Sequence, residues 1–489
     1  MFKRPMAFGR FRLTFTAKAC MMSFMTKKRF SFHPNEPAGS PGTPAGALIA
    51  LCWFVYFASY LTRQNYNAAL ALMLGDLGAA KSALSLAGTG AFAAYGIGQP
   101  VSALLLRRAR PRRMIAIGLL ASGCCNLLLA GSTLAFSGPG LPVIMTVIWC
   151  ANGFAQAMLW PALVQFMARE LSAADYNRAV MHVNIAGSAG TAAVYLLAGA
   201  ARGSWRWVFV ISASFAVIAA LAWRKLAPDT PLRQRFCEAP TLSPLLHPNE
   251  PADSLGAPAG EGGFEVGNAQ LIDEPGEPVP MRRLLTGFGL GPILLGAALL
   301  GILRESVPAW MPVLLTESAP AFSSARSVLT AAVLPLFAIV SLRVTGTIAK
   351  KIGHELRSTA WFFGAGTLAA LGLALCLHGM RAGALPMGNL WLPMGVACMA
   401  LLTGCMHGVN LAAVCQLPAR FGKYGATGAA AGVINAFVYA GSALSMLGTA
   451  LLAERRGWQA TAWAWLAVAA AGTAVFVFFT KKAKEKLYE

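Results

Sequence analysis

The sequence predicts an all-α membrane protein, with twelve transmembrane helices in two six-helix pseudo-symmetric bundles. Three observations carry that expectation. Hydrophobic residues make up 56% of the 489 and charged residues only 12%, a balance that soluble globular chains do not have. Twelve apolar segments follow one another, each long enough to cross a hydrocarbon core of about 30 Å as a helix. A polar stretch rich in Pro and Gly separates the sixth from the seventh.

In chain order, residues 1–45 carry eight Lys or Arg against the single acid Glu36 and end in a Pro/Gly-rich run. No apolar core of a secretory signal is present there, so the segment is expected to be a disordered, basic tail. Segments 46–74, 83–106, 113–136, 141–168, 177–200 and 206–224 form the first bundle, spanning 46–224. Residues 225–284 hold nine of the nineteen acids without sustained apolar periodicity and read as a disordered linker. Segments 285–317, 325–348, 358–379, 389–417, 425–453 and 458–480 form the second bundle, spanning 285–480, and 481–489 is a second basic tail.

Orientation follows from the basic residues. Thirty of the forty Lys and Arg fall on the face shared by both termini and seven on the other, with Arg63, Arg304 and Arg343 inside spans. Cationic loops stay in the cytoplasm, so both termini, the linker and the tails are expected there, in a multi-pass protein of the plasma or inner membrane. The formal charge of +21 is accounted for by lipid and topology, and no nucleic-acid partner is expected. Most of the ten cysteines lie inside apolar segments without metal-ligand spacing, as packing residues do.

The halves repeat one another. A shift of 251 residues pairs Gly153 with Gly404, Gln165 with Gln416, Arg169 with Arg420 and Asn184 with Asn435, and a shift of 241 pairs Arg63 with Arg304. In repeated transporters the site lies near the midplane where the halves meet. A second repetition, His33-Pro34-Asn35-Glu36-Pro37-Ala38 and His247-Pro248-Asn249-Glu250-Pro251-Ala252, lies in the tail and linker and reads as a duplicated low-complexity tract.

Two charges then need a reason. A guanidinium at bilayer depth costs roughly +2.5 to +3.5 kcal/mol even on lenient scales, so Arg63 and Arg304 should face the bundle interior or a wet cavity. Arg offers a planar fork of five donors that fits phosphate or carboxylate oxygens bidentately, and a pair converging from two halves suits a phosphoryl group. The alternative is neutralisation inside the protein. Glu305 is the local candidate, but adjacent helical residues project about 100° apart, so it is expected to face another helix or the cavity edge rather than Arg304. Countercharge, proton coupling and structural pairing all remain open for it. Tyr56 and Tyr60 share the Arg63 face of the first helix, and Tyr95 in the second span can join them. His182, Asn184, His407, Asn410, Asn435 and Tyr439 are polar residues within spans that either line the cavity or bond between helices.

No catalytic motif is visible, neither a phosphate-binding Gly-rich loop ending in Lys-Ser/Thr nor His-Glu-x-x-His nor Gly-x-Ser-x-Gly, so an enzyme is not expected. Nor is a cofactor or a metal. Movement of solute would be driven by solute gradients.

The run Tyr60-Leu61-Thr62-Arg63-Gln64-Asn65-Tyr66, then Ala94-Tyr95-Gly96-Ile97-Gly98, then Leu303-Arg304-Glu305 followed by Trp310-Met311-Pro312, resembles the organophosphate:inorganic phosphate antiporter family. This is the major facilitator branch that holds glycerol-3-phosphate and hexose-phosphate transporters. Gly153-Phe154-Ala155-Gln156, Tyr439-Ala440-Gly441 and Gly457-Trp458 extend the likeness through both halves. The resemblance implies that Arg63 and Arg304 hold phosphate, that Tyr56, Tyr60 and Tyr95 add hydrogen bonds, and that organic phosphate exchanges for inorganic phosphate by alternating access. The chain departs from the pattern at Gln64 and Gln99, where the family has lysines, and at Gly187, where it has a histidine. The expected partners are a small anionic substrate and the lipid bilayer, with the chain acting as a monomer. The rival readings are a membrane sensor that binds sugar phosphate without moving it and a proton-coupled exporter of another small molecule.

Overall fold

A computed structural model describes residues 44–106, 108–201, 204–228, 289–319, 323–382, 390–424 and 427–488. The expectations for the tail before residue 44 and for the linker between 229 and 288 lie outside the described residues.

In the first half, α1 is Ala45–Leu77, α2 Lys81–Leu105 and α3 Pro111–Ala135. Next, α4 runs as Leu141–Ala157 and Leu159–Glu170, α5 is Ala173–Ala200 and α6 is Arg206–Leu226. In the second half, α7 is Leu290–Ser318, α8 runs as Ser324–Ala331 and Val333–Ile352, and α9 is Glu355–Ala382. The helix Trp391–Val409, the π-helical turn Asn410–Gln416 and the 3-10 stretch Leu417–Tyr424 together make α10. The stretch Thr427–Ala474 is divided at Gly457 into α11 and α12, and α13 (Lys481–Tyr488) lies in the expected second tail. Twelve spans result among the described residues. Ten stretches are long and apolar enough to cross a membrane by themselves. The count rises by one for α2, a less apolar inner helix packed on α4 and α11, and by one for the division at Gly457.

Proline explains the breaks. Pro161 and Pro335 have no N–H for the carbonyls of Ala157 and Ala331, and α4 and α8 bend at Met158 and Ala332, the next residues. Gly457, at φ 79° and ψ 176°, turns the chain from α11 into α12 through backbone space that only glycine enters readily.

Within each half the helices pack α1 on α5, α2 on α4 and α3 on α6, then α7 on α11, α8 on α10 and α9 on α12. The halves meet along α2–α11 and α5–α8. Trp205, Trp223, Trp310 and Trp465 are fully buried, whereas Leu134 (85% exposed), Phe478 (72%) and Leu368 (71%) project outward, as a bilayer-facing shell requires. Gly301 and Gly441 bring α7 and α11 together. A Cβ at 301 would strike the Val438 carbonyl, and one at 441 the Ala298 carbonyl. Backbone cannot yield there, so Gly441→Val is expected to cost at least about 1–3 kcal/mol of overpacking, read as a lower Tm and a smaller monodisperse fraction in detergent.

The two ends of the bundle differ. The terminal face is the one where α1 begins, and the distal face carries the α1–α2 and α7–α8 turns. At the distal face Lys81 Nζ lies 2.9 Å from Glu317 Oε1, and the Ser82 backbone N–H donates to Glu454 Oε1 at 2.8 Å. Both contacts join the two halves. Glu317 also accepts from Trp458 Nε1 at 2.8 Å, as Asp76, its counterpart 241 residues earlier, accepts from Trp205 Nε1 at 2.8 Å. The duplication is therefore visible in side-chain roles.

Candidate functional site

Between the halves lies a chamber of about 1030 Å³, counting the open solvent at its mouth. Its walls come from α1, α5, α7, α8, α10 and α11, and both Arg63 and Arg304 line it.

Arg63 is placed by the far side of its own helix. There Gln156 Nε2 of α4 donates to the Ser59 carbonyl at 3.1 Å, to Thr62 Oγ1 at 2.9 Å and to Ser122 Oγ at 2.8 Å. Asn126 and Asn152 donate to the Thr62 carbonyl at 3.1 and 3.0 Å, and Ser122 Oγ donates to Asn152 Oδ1 at 2.6 Å. Buried amides joined this completely fix the rotation of α1 about its axis. With that face locked, Tyr56, Tyr60 and Arg63 turn together to the chamber, as their spacing predicts.

Aromatic rings then cage the guanidinium. Arg63 Cζ lies 4.2 Å from the Tyr95 ring centroid, 5.6 Å from that of Tyr60 and 5.8 Å from that of Tyr439, and Nη2 donates to the Tyr439 hydroxyl at 3.3 Å. Cation–π attraction strengthens when the cation is desolvated, as at this site. Tyr95 lines a smaller cleft behind Arg63 rather than the main chamber, and its ring lies 4.4 Å from that of Tyr439. Tyr56 and Tyr60 fill the space beside Gly187, where a Cβ would come within 3.2 Å of both rings. Any side chain at 187 would have to push these rings aside by a few tenths of an ångström.

Arg304 comes from α7, just before a double interruption of the helix. Pro308 leaves the Arg304 carbonyl without its helical partner, and Pro312 does the same to the Pro308 carbonyl. Tyr195 of α5 repairs the second loss, donating from Oη to the Pro308 carbonyl at 3.0 Å across the two halves. Tyr195→Phe is expected to cost about 0.5–1.5 kcal/mol, measured as a fall in Tm with the same helical circular dichroism.

Each nitrogen of the Arg304 guanidinium has a partner. Nε and Nη2 reach Glu305 Oε1 at 3.1 and 3.0 Å, and Nη1 donates to Asn410 Oδ1 at 2.7 Å. This corrects the expectation that Glu305 faces away from Arg304. The 100° offset holds for the Cβ directions, but both side chains are long and both curl into the chamber. Asn410 opens the π-helical turn of α10, a local widening common at functional sites. Arg304 Cζ lies 5.9 Å from the Tyr439 ring that Arg63 also approaches, so one tyrosine sits between charges from two halves.

Among the other candidates, His407, Asn410, Asn184 and Tyr439 line the chamber. Asn435, half-buried and four residues before Tyr439, does not, and His182 is exposed on α5. Sequence reasoning missed the Asn126–Asn152–Gln156 cluster and Tyr195. Amides within apolar segments were the available signal, the same one that singled out Asn184.

Helices, chamber and paired guanidiniums define a polytopic membrane protein with a positively charged site between two repeated halves. The chain matches the Major Facilitator Superfamily over residues 52–424 and belongs to it. It is 22% identical over 428 residues, 86% of this chain and 88% of the other, to a probable hexose phosphate transport protein of Chlamydia pneumoniae. It is 26% identical to the membrane sensor protein UhpC of Escherichia coli over 36% of this chain and 40% of that one, and 28% identical to the glycerol-3-phosphate transporter of Bacillus subtilis over 36% and 39%. Among solved structures, a bacterial homologue of the lysosomal transporter Spinster in an inward-facing, unoccupied conformation superposes with TM-score 0.63, at 14% identity and over 92% of this chain and 98% of that one. The xylose transporter XylE of E. coli, in a partially occluded inward-open conformation, gives 0.61 at 13% identity over 89% and 98%.

Proposed function

We propose that this protein is a secondary transporter of a phosphorylated metabolite, exchanging it for inorganic phosphate through alternating access. The observation that carries the reading is the approach of Arg63 and Arg304, one from each half, to the ring of Tyr439 in an accessible chamber. In this reading Arg63, Arg304, Tyr56 and Tyr60 replace the water shell of a phosphate while Tyr95 backs the Arg63 guanidinium from behind, and contact with both halves favours closure around the anion. The names of the relatives point to the same class of cargo. The distribution of basic residues favours a cytoplasmic terminal face, and the contacts that join the halves at the distal face fit a conformation closed on the opposite side. Both arginines belong to one chain, and a monomer suffices.

The test is counterflow. Proteoliposomes loaded with unlabelled phosphate are expected to take up labelled phosphate, and unlabelled sugar phosphate outside is expected to compete. The match to a membrane sensor supports one rival, a receptor that binds the same anions without moving them. Phosphate-dependent thermal stabilisation without counterflow would decide for the sensor.

A further inference from the structure

Resting on the phosphate reading above, the geometry points to a zwitterionic cargo: we propose an organic phosphate that also carries a protonated amine, its phosphate held by Arg63 and Arg304 and its ammonium by Glu305. One edge of Arg304 is already occupied. Nε and Nη2 form the side-on edge, one of those that can bind an oxyanion bidentately, and both are turned on Glu305 Oε1 at 3.1 and 3.0 Å. The third nitrogen is held by Asn410. A phosphate that claims this edge displaces the carboxylate, which stays in the chamber wall and needs another cation.

The described wall does not supply one. Its cations are Arg304 and Arg63, and the phosphate engages both. Gln64 and Asn67 are uncharged and bonded to each other at 2.9 Å, and His407 directs its Nδ1 to the Thr403 carbonyl at 2.8 Å. Charge count agrees with geometry. Two guanidiniums and one carboxylate leave the site at +1, whereas a phosphate monoester carries about −1.5 to −2 near neutral pH. An ammonium on the same molecule brings the bound site close to neutral and gives Glu305 its partner.

Matched pairs of competitors test this: phosphoethanolamine against ethyl phosphate, and glucosamine 6-phosphate against glucose 6-phosphate, each competing with labelled phosphate in counterflow. In the unsubstituted protein the amine-bearing member is expected to compete about tenfold more strongly, the value of one additional charge-assisted contact of about 1.4 kcal/mol. In Glu305→Gln the ratio is expected to fall to about one or invert. Equal competition within both pairs in the unsubstituted protein overturns the proposal, whether or not the variant folds. A preference that survives in folded Glu305→Gln overturns the role of the carboxylate. Absence of phosphate counterflow from the unsubstituted protein is a different failure, because it removes the underlying phosphate-exchange reading itself.

Discussion

Arg63→Lys and Arg304→Lys are each expected to lower phosphate counterflow by about 100-fold or more, with folded yield retained. Lysine keeps the charge, so the change isolates the fork. A guanidinium gives a phosphate two parallel charge-assisted bonds, each about 1.5–3 kcal/mol, where an ammonium offers a compact point charge on a flexible stem. At position 63 the loss is compounded because the planar group packs 4.2 Å from the Tyr95 ring and donates to Tyr439 at 3.3 Å. At position 304 the ammonium cannot hold Glu305 through two nitrogens and Asn410 through a third at once. The measurement is initial-rate uptake of labelled phosphate in proteoliposomes, normalised to protein that elutes as a single species. Counterflow retained in both variants would remove the two arginines from the phosphate site.

Arg63 and Arg304 were legible in the sequence because an uncompensated charge in an apolar helix has few physical explanations. Tyr56 and Tyr60 followed from helical spacing, since residues three and four apart share a face whatever the tertiary structure, whereas Tyr95, on another helix, lines the cleft behind Arg63. Glu305 was misread. Angular offset constrains Cβ, and a glutamate beside an arginine has enough rotatable bonds to meet it where both open onto one chamber. The Asn126–Asn152–Gln156 cluster was hidden for a different reason. Each amide is neutral, and its partners on α1 lie 61 to 97 residues away, so no local pattern links them. Helix breaks at Met158 and Ala332 follow from Pro161 and Pro335, yet hydropathy alone runs through both.

Covalent closure of the distal face is expected to stop exchange altogether. Lys81 and Glu317 belong to different halves and meet at 2.9 Å, so cysteines at both positions can be joined by a bifunctional thiol reagent of similar reach to the ion pair it replaces. Alternating access requires those positions to separate in every cycle. The cross-linked Lys81→Cys/Glu317→Cys protein should fall to background counterflow and recover when a cleavable linker is reduced. The unsubstituted protein, treated identically, controls for reaction at Cys124 and Cys415, both exposed. Each single variant should change exchange only a few-fold, because a partly exposed pair such as this one contributes on the order of 1 kcal/mol. The pseudo-symmetric partner supplies the internal control. Asp76 pairs with Arg206 at 3.7 Å inside one half, and linking Asp76→Cys to Arg206→Cys should leave exchange intact. If the Lys81–Glu317 link forms and exchange continues, the halves do not part at this face during transport, and alternating access about the Arg63–Arg304 site is wrong.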